Sequence, residues 1–249
     1  MRFSPWLAKL VLQQSPKHAK AAWEARRDGQ VSERSDAKRF GSCVDRIVFQ
    51  VGEDIVVKTK RGQKEEPGQI LVSETELERA NKVAAAVLEQ VPRLSSIHSK
   101  NQHKIIWNER GLECSATPDN LDMEQWQIND LKTAHDMSDE GIVRAIEMYG
   151  YDVQAAACIE GALLKLEWPR PTFRFIFAES HEPFDVRVIE MDNDMIDGGM
   201  RLWNKAKNIW RNCLATGEFP GRGHTTVSNS SYRRFRSGSE VVDDFMKQN

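Results

Sequence analysis

Two aspartates and a lysine carry the most specific chemical signal in the sequence. Pro118-Asp119 is followed, after ten residues, by Asp130-Leu131-Lys132. The flanking segments, 112–117 (LECSAT) and 125–131 (QWQINDL), read as strands with a turn over 120–124 between them. Side chains alternate along a strand, so Asp130 and Lys132, two apart, share one face. Asp119, at the end of the first strand, reaches the same place from across the hairpin. Two carboxylates and an ammonium at one spot suit metal-assisted hydrolysis of a phosphodiester. Mg2+ takes hard oxygen ligands, one or two carboxylates completed by water and phosphate oxygens. It lowers the pKa of a bound water and stabilises charge in the transition state. A lysine among carboxylates stays charged, and can orient or help activate the water and balance developing negative charge. The plain alternative for Asp130 and Lys132 alone is a solvated strand face. Pro118-Asp119 at hairpin distance is what gives the pattern its specificity.

The elements that must position these residues are legible in outline. Ser4-Pro5 and Ser15-Pro16 each open a helix, WLAKLVLQQ and KHAKAAWEARR, with proline in the first turn. Residues 28–38 are polar and read as a mobile loop. Residues 40–49 (FGSCVDRIVF) read as a buried helix whose one acid is Asp45. Residues 53–60 alternate weakly, and 61–68 form a charged loop. The stretch 73–91 opens with a Ser-x-x-Glu capping box and holds apolar residues at helical spacing. Strands follow at 103–107, 112–117 and 125–131, then helices at 138–150 and 153–166. Two more strands, TFRFIFAES and FDVRVIEMD, precede a long helix over 193–216 ended by Gly217. This order predicts an α/β fold with a central mixed β-sheet of about five strands and helices on both faces. We expect a single domain over 1–223, helical over 1–95 and with its catalytic core over 96–223. A Ser- and Arg-containing tail, 224–249, is expected to be partly disordered.

Composition narrows the class further. The chain has 249 residues, with 35 Lys+Arg against 37 Asp+Glu, a formal charge of −2. There is no global positive field, so nucleic-acid binding must come from local patches. Hydrophobic residues at 40% and charged residues at 29% exclude collagen-like, largely disordered and disulfide-scaffold classes. Cys43, Cys114, Cys158 and Cys213 form no CxxC pair, which argues against zinc and for a reduced, cytoplasmic protein. The N-terminal apolar run is broken by Lys9 and a Gln pair, unlike a signal peptide or membrane span.

These stretches resemble the PD-(D/E)xK nuclease superfamily, and within it the exodeoxyribonuclease VIII-like group of phage recombination exonucleases. The resemblance is carried by SPKHAKAAWE, RFGSCVDRIVF, the block IIWNERGLECSATPDNLDMEQWQINDLKTAHDMSDEGIVRAIEMYGYDVQAAACIEGA, TFRFIFAES and WRNCLATGEFPG. It implies a restriction-endonuclease-like core and a Mg2+-dependent exodeoxyribonuclease, with Mn2+ able to substitute. The expected substrate is linear double-stranded DNA, degraded 5′-to-3′ to leave single strands for recombination. The expected partners are DNA ends, a single-strand annealing protein and copies of the same chain in a ring, with no membrane; the setting is a bacterial host cytoplasm.

The resemblance also implies roles. Asp119 and Asp130 match metal-binding acids, the Leu131 carbonyl a backbone ligand and Lys132 the catalytic lysine. Gln154 matches the glutamine of a Gln-x-x-x-Tyr motif, but Cys158 stands at the Tyr position, leaving Tyr149 or Tyr151 as substitutes. Asp45 stands where such sequences often carry a metal-binding His; Asp is an equally hard ligand, and the plain alternative is an ion pair with Arg46. Three rival readings stay open: a Cas4-like or repair nuclease, which the cysteines oppose for want of an iron–sulfur pattern, a catalytically impaired scaffold that binds DNA or protein, and a purely structural α/β interaction module, in which the charged triad is an accident. His18, His135 and Glu113 read as surface residues, and Trp203 and Trp210 as a core stripe. Basic clusters at 26–27, 58–64 and 233–236 are candidate DNA contacts.

Overall fold

The structure, a computed structural model, describes residues 2–30, 34–169 and 171–222. The expected tail and its basic cluster at 233–236 lie outside the described residues. Three helices lead: α1 (Pro5–Gln13), α2 (Pro16–Arg27) and α3 (Asp36–Phe49). The Ser4, Ser15 and Ser35 hydroxyls cap them in turn, each accepting from an amide three residues on. Helix α3 starts inside the segment expected to be loop. A parallel pair, β1 (Asp54–Val57) and β2 (Gln69–Val72), precedes α4 (Glu74–Gln90), whose Ser73/Glu76 capping box forms as expected.

Five strands make the central mixed sheet, in the order β3 (Ser99–Asn101), β6 (Asn120–Asp122), β7 (Gln127–Ala134), β8 (Thr172–Glu179), β9 (Val186–Glu190). Pairing is antiparallel except between β7 and β8. The number of strands matches expectation, and the membership is corrected. Strands β4 (Ile105–Glu109) and β5 (Leu112–Ala116) form a separate two-stranded hairpin. The short strands β3 and β6 take their places. The segment 120–124 is also corrected: its first three residues are strand, and the turn to β7 lies over 123–126.

A buried amide ladder fixes the sheet register. Asn129 donates to Asn120 Oδ1 at 2.8 Å, and Asn120 donates to Asn101 Oδ1 at 2.7 Å. Arg174 donates to Asn129 Oδ1 at 3.0 Å from β8. A slip of one residue would leave these buried groups unpaired, at about 1–3 kcal/mol each.

Each face of the sheet carries its own apolar core. Phe173, Phe175 and Phe177 point to one side, against α1, the hairpin, α6 (Tyr151–Lys165) and α7 (Asn193–Thr216). Leu131, Ile176 and Ala178 point to the other, against α3, α4 and β2. Burial on both faces explains why β8 reads as a near-continuous apolar run. Trp203 and Trp210 are core residues, packed on Phe3 with ring centroids 5.1 and 6.0 Å away. Helix α5 (Asp139–Tyr149) meets α6 at Gly150, whose φ of 58° favours glycine. Helices α6 and α7 cross at Gly199, where an added Cβ would lie 2.4 Å from the Asp152 carbonyl oxygen.

Candidate active site

The β6–β7 register assembles the site. Asn120 pairs with Asn129, and continuing that register by one residue brings Asp119 level with Asp130. The Leu131 amide donates to Asp119 Oδ2 at 2.9 Å, tying the two strands at this point. Asp130 and Lys132 lie on the Phe175–Phe177 face and form an ion pair. Asp45 arrives from α3, one turn beyond Gly41, so the two share a helix face. A Cβ at Gly41 would stand 3.2 Å from Thr133 Oγ1, so the glycine lets α3 lie close on β7.

From the opposite side α6 supplies three residues. Gln154 Nε2 donates to Asp130 Oδ1 at 2.6 Å. Tyr151 lays its ring 4.8 Å from Lys132 Nζ. Cys158 is buried one turn further on. Of the two tyrosines considered from sequence, Tyr151 is the one whose ring faces the lysine. Lys9, which the sequence reading passed over as an interruption of α1, also approaches. Its Nζ lies 5.3 Å from the Tyr151 ring centroid, and its stem packs where a Gly150 side chain would be.

The charges strain against one another. Burial pushes the Asp45 carboxyl up to about 7; Asp130 adds to the rise and Lys132 opposes it. Burial raises Asp119 well above the usual carboxylate range, with Asp130 and then Asp45 reinforcing it. Burial works against the charge on Lys132, but Asp130 and Asp119 outweigh it and hold its pKa up. Lys9 falls to about 8, first through burial and then through repulsion by Lys132. The Cys158 thiol is driven up by burial and then by Asp130 and Asp119, which works against a reactive thiolate.

The donor set fits a hard divalent cation. Asp130 Oδ2 is buried, and its one close partner is the Lys132 ammonium, outside hydrogen-bond geometry. Among the described residues no three His, Cys, Asp or Glu side chains stand close enough to cage an ion. Mg2+ and Mn2+ need no cage, because water and substrate oxygens complete their shells. The four cysteines are free and buried.

The remaining candidates fall elsewhere. Arg46 reaches Asp54 at 3.9 Å rather than pairing with Asp45. Glu113 pairs with Arg2 at 2.9 Å on the surface. His18 Nδ1 meets the Ser15 hydroxyl at 2.7 Å at the start of α2, and the His135 ring packs 4.3 Å from His181. The 58–64 cluster lies on the exposed β1–β2 connection. Arg26 lines a cleft that ends at Gln154 and Cys158, whereas Arg27 packs on Trp23 and pairs with Asp28 at 2.8 Å.

A mixed sheet between helical layers, with Asp119, Asp130 and Lys132 drawn together on a β-hairpin, defines a PD-(D/E)xK-type nuclease fold. Residues 8–230 match the family described as "PDDEXK-like domain of unknown function (DUF3799)", and the chain belongs to it. No curated protein sequence matches the chain. Among solved structures it is similar to a candidate exonuclease from Eubacterium rectale, with a TM-score of 0.64 at 15% identity, covering 95% of this chain and 93% of that one. A phage-related exonuclease from Haemophilus somnus 129PT aligns with a TM-score of 0.40 at 11% identity, over 88% of this chain and 97% of that one. Among the described residues no helix is long and apolar enough to cross a membrane.

Proposed function

We propose that the protein is a Mg2+-dependent exodeoxyribonuclease that degrades linear double-stranded DNA from its ends, 5′-to-3′, leaving single strands for recombination. The convergence of Asp45, Asp119, Asp130, Lys132 and Gln154 is the observation that carries this reading. Asp45, Asp119, Asp130 and the Leu131 carbonyl would hold the ion; Mn2+ has the same oxygen preference. The bound ion supplies a water of lowered pKa and a charge to offset that of the phosphate. Gln154 fixes Asp130 through Oδ1 and leaves Oδ2 to cations. Lys132, held protonated by Asp130 and Asp119, orients the attacking water and the phosphate by its charge and does not act as a base. Tyr151 backs the ammonium where the family's tyrosine is missing. In this role the chain would work as a ring-shaped homo-oligomer in a bacterial cytoplasm, feeding its product strand to a single-strand annealing protein.

The test compares linear duplex DNA incubated with Mg2+ or with EDTA. Wild type should shorten the duplex only with the metal. Lys132→Ala and Asp119→Ala should each lower the rate by at least about 10²-fold, as for the loss of one transition-state charge partner. Duplexes labelled at the 5′ or the 3′ end read the polarity. Absence of metal-dependent degradation overturns the reading, and variants as active as wild type overturn the residue assignment.

A further inference from the structure

A cleft of about 550 Å3 opens between α1, α2 and the edge of the β4–β5 hairpin, with Gln154 and Cys158 at its inner end. Its charged lining is entirely cationic: Arg2, Lys9, Arg26 and Lys104. Arg2 is engaged by Glu113. The other three have no carboxylate within ion-pair distance among the described residues. For Lys9 this matters most, because it is half-buried and the carboxylates that act on it, Asp130 and Asp152, do so only from beyond ion-pair distance. A cation in that state asks for an anion from outside the protein.

Aromatic rings accompany the charges. Trp6, 37% exposed, stands at the cleft with the Arg26 guanidinium 5.3 Å from its ring centroid. Trp23 lines the same cleft, half-buried. Alternating cations and planar faces are how proteins hold an unpaired nucleic-acid strand: phosphates meet Lys and Arg while bases stack on rings or on guanidinium planes. The volume is that of an ordinary ligand pocket, roughly 300–1,000 Å3, enough for about one or two nucleotides and not for two paired strands.

We infer that this cleft binds single-stranded DNA, stacking a base against Trp6 and Arg26 while Lys9 and Lys104 take the adjoining phosphates. The inference rests on the nuclease reading and sharpens it: the strand that reaches Asp130 is unpaired there. The preferred substrate is then an end that is already frayed or overhanging, and a blunt end must open before it is cut. Lys9 is a binding residue in this account, placed to guide the phosphate next to the one that reaches Lys132.

Full-length protein carrying Lys132→Ala, so that hydrolysis cannot confuse the reading, is titrated against a fluorescent oligo-dT and a blunt hairpin duplex, followed by anisotropy. The oligonucleotide should bind more tightly than the hairpin. Adding Trp6→Ala should weaken oligonucleotide binding by about tenfold, since one stacked base contributes roughly 1–3 kcal/mol. Adding Trp6→Phe should restore most of it. Adding Lys9→Gln should lower the salt slope, log K against log salt, by about 0.7, the single-strand value for one phosphate. The inference falls if Trp6→Ala binds as its parent does, if Phe and Ala weaken binding equally, or if the blunt hairpin wins. Cleavage by protein with intact Lys132 is scored separately. Metal-dependent cleavage without Trp6-dependent binding defeats this inference alone, and binding without cleavage defeats the nuclease reading while the strand site stands.

Discussion

Two clusters of charge among the described residues, one beneath α7 and one at the candidate active site, are balanced differently. Beneath α7, Lys207 is 1% exposed and contacts both Glu160 and Glu109; Arg211 contacts Glu109 again. The Trp107 indole N–H donates to the second Glu160 oxygen at 2.9 Å. Two cations meet two carboxylates, and Glu160 has a partner on both oxygens. At the candidate active site Asp45, Asp119 and Asp130 lie near enough to act on one another, and of the three only Asp130 has an ion-pair partner, Lys132. Asp45 and Asp119 have no ion-pair partner among the described residues, which leaves their oxygens to the divalent ion proposed above. The first cluster is complete within the chain; the second would be completed by the ion proposed above. Charge that is buried and paired is costly to break from one side, and charge that is buried without a partner is a candidate ligand site.

The contrast is sharpest in stability. Lys207→Met leaves Glu160 buried beside an apolar stem and should cost about 3–5 kcal/mol, read as a lower urea midpoint. The double variant Lys207→Met/Glu160→Gln should recover much of that loss, because both charges leave together. A single variant as stable as wild type would show that the network under α7 is no more structural than the site.

The opposite sign is expected for Asp45→Asn. Removing one of three crowded carboxylates should stabilise the metal-free protein by about 1 kcal/mol in urea melts at pH 8, while metal-dependent cleavage falls at least about tenfold. Its pH dependence follows from the linkage. The folded carboxyl, pushed up to about 7 from an ordinary 3.8, costs stability fully above pH 7. The cost lessens as pH falls through 7 toward 4. The gain from Asp45→Asn should shrink over that window, and a pH-independent gain would break the argument.

Added Mg2+ should raise the melting temperature of wild type, by an amount set by its saturation, and EDTA should reverse it. The rise should be larger at pH 8 than at pH 6, where Asp45 is largely protonated and the ion must displace a proton. Thermal shifts equal at the two pH values would remove Asp45 from the ion's neighbourhood.

The smallest effect concerns Lys9→Met. Loss of a half-buried, unpaired ammonium should stabilise the protein by no more than about 1 kcal/mol at pH 7. Because the folded pKa is lowered to about 8 from 10.5, the cost of the charge is full below pH 8 and gone above 10.5. The advantage of Met should therefore fade between those values in urea melts.

The sequence shows some of this plainly and hides the rest for physical reasons. The capping box at Ser73, the apolar β8 and the pair Asp130/Lys132 are local patterns, complete within a few residues. Strands β3 and β6 are three residues each, too short for a period of two to register, so their place in the sheet went to the longer β4–β5 hairpin. Lys9 is hidden differently. In α1 it reads as a polar break in an apolar helix, and only the packing of α1 beside α6 turns it toward Tyr151. Tyr151 and Tyr149 are equivalent by spacing; the bend at Gly150 separates them. Arg26 and Arg27 are adjacent in sequence, yet the helix sends one into the cleft and the other onto Trp23.

Gly199 has a consequence for genetics. It lies on α7, far along the chain from the acids, yet it is the seat on which the first turn of α6 rests, and that turn carries Tyr151 and Gln154. A methyl group there cannot fit without pushing the helix away. Gly199→Ala is therefore expected to give a heat-sensitive allele: a chain that folds at low temperature and, on warming, loses the alignment of Tyr151 and Gln154 before its fold.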